Sequence, residues 1–351
     1  LLHILSNGNV GIGTSTPTQK LSVVGNISNL IDASTTISLV VTTSVGSNVH
    51  AVFVSGKYAY TVNQGGATLA IIDVSNPASP SLIATTSVGS NIQSVYVSGR
   101  YAYITDTAGS LRILDVSTPA TPRSISSVTL GTQPVSVYVS GAYAYVANSG
   151  SNNISVVDVS NPLAPVQIAT TTVGTAPNSI YVSGRYAYVA NFLGTSISIV
   201  DISNPLLPTQ VSTVTVGTQP RNIYVSGRYA YTVNDSAGNM SIINIANPTS
   251  PSVSATLSVG ATPYSIYVSG RYAYITNSSL DRLTVVDITS STAPAIVNTL
   301  ALPTNATPHG IYVSGRYAYI TNSGLSSLSV VDISGTEVSS LIAHSAEVGN
   351  L

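Results

Sequence analysis

Few side chains of this sequence are of a type that does chemistry. The 351 residues include four His, 11 basic and 12 acidic side chains, and no Cys. Two of the histidines, His50 and His309, share one position of a repeated pattern with Arg221 and Tyr264. Imidazole, guanidinium and phenol groups suit polar ligand binding. With no carboxylate at that position and no thiol in the chain, we predict no catalytic residue, no metal site and no cofactor.

The repeated pattern is the string V-S-G-R-Y-A-Y, which recurs seven times with minor changes. Its glycines are spaced 42 to 45 residues apart, at Gly56, Gly99, Gly141, Gly184, Gly227, Gly270 and Gly315. Six residues before them stand His50, Gln93, Val135, Asn178, Arg221, Tyr264 and His309. We call these the mouth positions. The six that are polar or aromatic (all but Val135) form a predicted ligand site, and the alternative is drift under weak packing constraint.

Each repeat reads as four short strands, here named a, b, c and d. Apolar residues alternate with polar ones through each strand, and a second landmark, I/V/L-D-V/I-S, follows the glycine by about 17 residues. Four strands in a period of about 40–45 residues are typical of one propeller blade. Seven near-equal copies predict an all-β, seven-bladed propeller in which Arg221, Tyr264, His309, His50 and Gln93 follow one another around the central channel.

The strings G-R-Y-A-Y-I-T and L-S-V-V-D-I-S-N-P resemble the LVIVD-repeat group of β-propellers. They are also similar to the YVTN-type propellers of microbial surface-layer proteins. The resemblance covers about residues 38–345. It implies an extracellular, cell-surface location and names no ligand.

Tyrosine is concentrated in the repeat. Strand b carries a pair in every copy, from Tyr58 and Tyr60 to Tyr317 and Tyr319, and six more lie three residues before a glycine. A period of two places both rings of a pair on one face, so we predict that both are buried against the next blade. The Asp that ends strand c is predicted to accept backbone N–H bonds in the following turn, with an Arg ion pair as a non-obligate addition.

Charge and hydropathy exclude two classes of partner. The net charge is −1 without a basic run, which argues against nucleic acid. No apolar stretch approaches the ~20 residues of a membrane span.

Residues 7–28 stand outside the repeat and resemble the G-N-V-G-I-G-T…P…K-L-x-V-x-G segments of phage tail-fibre proteins. The resemblance implies a β-rich stalk or oligomerisation element, with strands expected at 9–12 and 20–24. We therefore divide the chain into a fibre-like segment (1–34) and a propeller (35–351). Assembly is assigned to Val10, Ile12, Leu21, Val23, Val24, Leu39 and Val41. The alternative is a leader that lies on its own propeller.

Eight segments resemble strand d, although seven blades need only seven. The first spans 38–45 and the last 340–348, and chain order places both beside strand c of blade 7. The one left over is free to pair elsewhere. The sequence thus predicts an extracellular structural or adhesive subunit of a surface fibre, polymeric or trimeric through its N-terminal segment. The alternative function is a binding module that recognises a glycan or a surface protein.

Overall fold

The computed structural model describes residues 2–6, 9–12, 16, 21–23 and 37–334. Residues 37–334 form seven antiparallel four-stranded sheets. The all-β seven-bladed propeller is therefore confirmed. The described N-terminal residues belong to a separate unit.

The strands of the first blades follow the chain in the order a, b, c, d. Blade 1 contains β5 (Val49–Ser55), β6 (Tyr58–Asn63), β7 (Thr68–Asp73) and β8 (Ser81–Ser87). Blade 2 contains β9 (Ile92–Ser98), β10 (Tyr101–Asp106), β11 (Ser110–Asp115) and β12 (Arg123–Thr129). Blade 3 contains β13 (Pro134–Ser140), β14 (Tyr143–Asn148), β15 (Asn153–Asp158) and β16 (Val166–Thr172). Blade 4 contains β17 (Pro177–Ser183), β18 (Tyr186–Asn191), β19 (Ser196–Asp201) and β20 (Thr209–Thr215).

The remaining blades repeat this order until the last strand. Blade 5 contains β21 (Pro220–Ser226), β22 (Tyr229–Asn234), β23 (Asn239–Asn244) and β24 (Ser252–Ser258). Blade 6 contains β25 (Pro263–Ser269), β26 (Tyr272–Asn277), β27 (Arg282–Asp287) and β28 (Ala295–Ala301), with a 3-10 turn at Ser278–Leu280. Blade 7 contains β29 (Pro308–Ser314), β30 (Tyr317–Asn322) and β31 (Ser327–Asp332), and its fourth strand is β4 (Ser38–Ser44).

The ring is closed by β4. It pairs antiparallel with β31, with Leu39 opposite Val331 and Val41 opposite Val330. Strands a of neighbouring blades are in contact all around the ring, including blades 7 and 1. Of the two competing d-like segments, 38–45 thus occupies the blade-7 edge, and 340–348 lies outside the described residues. Leu39 and Val41, assigned above to assembly, pack within their own propeller.

Strands b and c are buried on both faces because blades cover them on each side. The interface between blades 4 and 5 is representative, with Tyr188, Ile223 and Val225 in one apolar cluster. The second tyrosine of every strand b is buried, at 0–4% exposure. Full burial of the first tyrosine is found only for Tyr272; in the other six blades this ring is partly exposed at the margin of the blade interface. Five of the six follow a Lys or Arg, whereas Tyr143 follows Ala142.

The Asp at the end of strand c has two roles. One carboxylate oxygen accepts the backbone N–H two residues on, as Asp201 does from Ser203 at 2.9 Å. Asn244 makes the same bond with Ala246 at 3.0 Å, so the predicted turn role is confirmed. The other oxygen pairs with the cation of the a–b turn in five blades, as Asp201 does with Arg185.

The N-terminal unit contains a three-stranded sheet of β1 (Leu2–Ile4), β2 (Val10–Ile12) and β3 (Leu21–Val23). Strand β1 pairs antiparallel with β2, and β2 pairs parallel with β3. The two predicted strands are present as β2 and β3, and β1 was not predicted. The assembly residues Val10, Ile12, Leu21 and Val23 lie in these strands, whereas Val24 and the boundary after residue 34 lie outside the described residues.

Candidate ligand site at the channel mouth

A β-bulge in each strand a places the mouth positions. In blade 3, Pro134 pairs with Asn148 and Ser136 with Ala147, so Val135 is an extra residue without a partner across the ladder. The same register shift occurs in all seven blades. A bulge turns its extra side chain out of the ladder direction. Each mouth residue therefore has no partner across the ladder, and its side chain is directed toward the channel entrance.

A positive-φ residue lies two positions before every mouth residue. These residues have φ between 45° and 57° and are Asn48, Asn91, Gln133, Ala176, Gln219, Thr262 and Thr307. Non-glycine residues adopt this conformation at a cost that the surrounding structure must offset. Because the residue types differ from blade to blade, the sequence showed no signal of this turn.

The mouth residues surround a cavity of about 170 Å³. Its walls include five of the six predicted ligand-binding residues, namely His50, Gln93, Asn178, Arg221 and Tyr264. The sixth, His309, stacks on Tyr264 with the ring centroids 3.9 Å apart and the planes 8° from parallel. The structure therefore brings the six predicted residues together. Five of them line the cavity, and His309 packs behind Tyr264 without lining it.

Arg221 is held between two aromatic rings. Its guanidinium carbon lies 4.2 Å from the Tyr264 centroid and 4.9 Å from that of Phe192. Its Nε donates to Asp235 at 2.8 Å. Phe192 and Asp235 both belong to loops between strands b and c, so these loops and the mouth positions share one face. The mouth positions carry no carboxylate, but a loop brings one to their edge.

His50 has hydrogen bonds at both ring nitrogens. Nδ1 lies 2.9 Å from the carbonyl of Gln93, which only accepts, so Nδ1 carries the proton. Nε2 therefore accepts from the Tyr264 hydroxyl at 2.7 Å. Burial lowers the pKa of His50, which keeps this ring neutral. Both nitrogens are thus occupied, and no lone pair is left for a metal.

His309 is neutral for a related reason. Burial, followed by the neighbouring His50 and Arg221, lowers its pKa to about 3. The two imidazole rings meet edge to face, with centroids 5.2 Å apart. Within the described part of the chain, no group of three or more His, Asp or Glu side chains has the arrangement of a metal site.

One residue deeper, small polar side chains join neighbouring blades. Ser136 Oγ accepts the N–H of Ile180 at 3.2 Å, and Ser179 Oγ accepts that of Ile223 at 3.3 Å. Asn222 continues the pattern through its Oδ1, which accepts from Ile266 at 3.1 Å. This layer forms the floor of the mouth cavity.

Below the floor, seven aromatic rings line the channel. They are Phe53, Tyr96, Tyr138, Tyr181, Tyr224, Tyr267 and Tyr312. Adjacent centroids are 4.7–5.0 Å apart and adjacent planes differ by 49–54°, about one-seventh of a full turn. Neighbouring blades are related by about one-seventh of a turn around the channel. Ring planes differ by that full angle only if they run parallel to the channel axis, so the rings stand along the channel. Six of these rings, all but Tyr96, also border a second cavity of about 200 Å³.

The repeat determines the family. The LVIVD repeat model matches residues 46–87, 89–129, 133–172, 174–216, 218–258, 263–301 and 308–342, well over half of the chain. The chain belongs to the LVIVD-repeat family. A propeller built of these repeats is a binding or structural module. No curated protein matches the chain in sequence.

Solved structures confirm the fold of this LVIVD-repeat protein. A hydrazine synthase structure from Kuenenia stuttgartiensis has a TM-score of 0.68 at 18% identity over 83% of this chain and 97% of that one. Virginiamycin B lyase from Staphylococcus aureus gives 0.66 at 12% identity over 85% and 99%. A protein of unknown function from Desulfotomaculum acetoxidans gives 0.62 at 17% identity over 73% and 86%. Likeness at these identities establishes the fold alone.

Two residues of the site escaped sequence reasoning. They are Phe192 and Asp235, and both lie in b–c loops whose residues differ between blades. Phe192 packs on the Arg221 guanidinium and Asp235 accepts a hydrogen bond from it, and both contacts depend on how close each loop comes to Arg221 in the folded propeller. A signal was present, since each is the first residue after its strand b, where the other blades have Gln64, Thr107, Ser149, Ser278 and Ser323.

Proposed function

We propose that this LVIVD-repeat propeller is an extracellular binding module that takes a small polar ligand, such as the terminal sugar of a glycan, at the channel mouth. One observation carries the proposal: the chain departs from its own repeat where a cavity is present. Tyr188 and Asp201 have equivalents in almost every blade, whereas the mouth positions hold six different residue types. The proposal assigns binding to the site and no catalysis.

The size and lining of the cavity support a small ligand. Drug-sized pockets measure about 300–1,000 Å³, and the mouth cavity measures about 170 Å³. Amide and hydroxyl groups from Gln93, Asn178, Ser136 and Ser179 line it. Such groups exchange hydrogen bonds with sugar hydroxyls in place of water.

A cavity-filling substitution tests the proposal. Val135 lines the mouth cavity, and a Val135→Trp ring would occupy the space that the ligand needs. Val166, in β16 of the same blade, is 55% exposed on the outer strand and gives a matched control, Val166→Trp. The labelled full-length chain is applied to an array of immobilised glycans.

We expect saturable binding by the wild type and by Val166→Trp, and its loss in Val135→Trp with unchanged circular dichroism. Absence of saturable binding on the whole array, or binding that survives Val135→Trp, rejects the glycan site.

A second candidate, self-assembly through the N-terminal segment, has its own support. Within the described residues, β1 and β3 are the edges of their sheet and each pairs on one side only. An unpaired strand edge is a template for another chain. Assembly through β4 is less favoured, because that strand already closes blade 7.

Truncation tests this candidate. Removal of residues 1–34 is expected to leave a folded, monomeric propeller with an unchanged β-type circular dichroism spectrum, while the full chain sediments as a trimer or polymer. A truncated chain that assembles to the same size as the full chain rejects the N-terminal joint. A full chain that is already monomeric rejects it as well.

A further inference from the structure

We propose that the mouth cavity is a carboxylate-binding site, in which Arg221 and the hydroxyl groups of Ser136 and Ser179 hold the anionic group of an acidic sugar or a small organic acid. The inference rests on the proposed function and names the chemical class of its ligand. It is carried by the direction of the hydrogen bonds at the cavity floor and by the charge of its wall.

The floor hydroxyls have protons left to donate. Ser179 Oγ accepts N–H bonds from the backbone of Ile223 at 3.3 Å and from Asn222 Nδ2 at 3.2 Å. Ser136 Oγ accepts from Ile180 at 3.2 Å. A hydroxyl whose oxygen already accepts is still able to donate its single proton. Within the described residues, neither serine has an acceptor for that proton, although Ser179 is only 4% exposed. A ligand oxygen in the cavity supplies the missing acceptor.

The charged side chain in the wall of the mouth cavity is a cation, which suits an anionic ligand. Arg221 is the one charged side chain among the residues that line the mouth cavity. Its bond to Asp235 uses Nε, which leaves the two terminal nitrogens of the guanidinium for other partners. The nearby imidazoles of His50 and His309 are neutral, as shown above, and add no positive charge of their own.

The geometry of Arg221 is suited to an acid. Tyr264 and Phe192 cover the guanidinium and limit its rotation. A fixed planar guanidinium recognises a carboxylate through two parallel N–H···O bonds, and little side-chain entropy remains to be lost on binding. Uncharged sugars gain the hydroxyl contacts but not the ion pair.

Calorimetric titration of the full chain with four probes tests the inference. D-Glucuronate and D-glucose differ in one carboxylate, and acetate and ethanol repeat that comparison without a sugar ring. We expect glucuronate to bind about tenfold or more tightly than glucose, the range typical of hydrogen bonds to a charged group. Tight acetate binding would assign the site to small organic acids, and selective glucuronate binding to acidic sugars.

Two variants and a matched control locate the site. Arg221→Gln is expected to abolish the preference for the acid, and Ser179→Ala to weaken it. Arg185→Gln removes an arginine at the a–b turn, the opposite end of strand a, and is expected to bind as the wild type does. Circular dichroism of each variant shows whether it has folded, and Ser179→Ala tests the inference if Arg221→Gln does not fold.

The outcomes separate this inference from the function on which it rests. Equal affinity for glucuronate and glucose, lost in Val135→Trp, overturns the carboxylate site and leaves the binding module in place. An acid preference that persists in Arg221→Gln overturns the assignment of Arg221. Absence of binding to all four probes and to the glycan array overturns both.

Discussion

The two tyrosines of strand b differ in burial, although they are only two residues apart and on the same face of the strand. Tyr188 is 3% exposed and packs against Val225 of the next blade. Tyr186 lies at the rim of the same cluster, with the Arg185 guanidinium carbon 5.3 Å from its ring centroid. Burial at the blade interface therefore decreases toward the a–b turn.

Their substitution is expected to have unequal effects. Tyr188→Ala leaves a cavity between blades 4 and 5 and should lower the free energy of unfolding by about 3–5 kcal/mol. Tyr186→Ala should cost roughly 1–2 kcal/mol, because part of this ring is already in water. Guanidinium denaturation followed by circular dichroism measures both. Equal losses would contradict the burial described here.

The turn after strand c depends on an acceptor side chain. Asp201 accepts from the Ser203 backbone, and Asn244 shows that an amide oxygen makes the same bond. Asp201→Asn should therefore keep the turn, whereas Asp201→Ala should lower the free energy of unfolding by about 1 kcal/mol. Urea denaturation near neutral pH compares the two. Equal stability of the two variants would mean that the turn does not need this bond.

The same carboxylate gives blade 4 a dependence on acid. Hydrogen bonds from Arg185 and Ser203 lower the pKa of Asp201 to about 2, from an ordinary value of 3.8. A lowered pKa in the folded state stabilises the protein above the ordinary value, and this stabilisation is lost as the pH falls from 3.8 toward 2. The midpoint of unfolding should fall less steeply over this interval in Asp201→Asn than in the wild type. Identical pH profiles would count against the linkage.

Closure by β4 makes the two chain ends unequal. Deletion of residues 340–351 should leave the propeller folded, because β4 holds the edge of blade 7. Deletion of residues 1–45 removes that strand and exposes Val330 and Val331, which are buried beneath it. We expect loss of cooperative thermal unfolding in the second variant only. Folding of both variants would indicate that the C-terminal segment replaces β4.

At the scale of the whole molecule, buried phenols make the fold sensitive to alkali. Burial raises the pKa of Tyr188 to about 12. It also raises the pKa values of the channel tyrosines Tyr96, Tyr181, Tyr224 and Tyr267, which neighbouring phenols increase further. Ionisation of these phenol groups is therefore coupled to unfolding of the propeller.

We expect the free energy of unfolding to fall as the pH rises above about 10, the ordinary tyrosine value. There the unfolded chain has released phenol protons that the folded chain retains, and each such tyrosine adds a slope of about 1.4 kcal/mol per pH unit. Denaturation at several alkaline pH values and phenolate absorbance measure this directly. Full phenolate absorbance near pH 10 in a chain that is still folded would contradict it.

The sequence by itself determined the blade and the number of blades. Each blade is specified by local features: alternating apolar residues, turn glycines such as Gly184, and the acceptor Asp201. Because each feature acts over a few neighbouring residues, its pattern can be recognised in the sequence. Seven near-equal copies of such a unit favour a closed ring over an open solenoid, and the ring places the mouth residues around one channel. The predicted ligand site follows from this symmetry.

The tertiary structure alone decided the features that break the symmetry. Both d-like segments match strand c of blade 7, and local pattern does not distinguish them; only the closed ring shows β4 in that place. His309 lies behind Tyr264, and Phe192 and Asp235 reach Arg221 from loops of two different blades. Burial, stacking and ion pairing between residues far apart in the chain depend on distances that only the assembled blades define. That dependence is the physical reason why the repeat predicts the framework and the folded ring specifies the site.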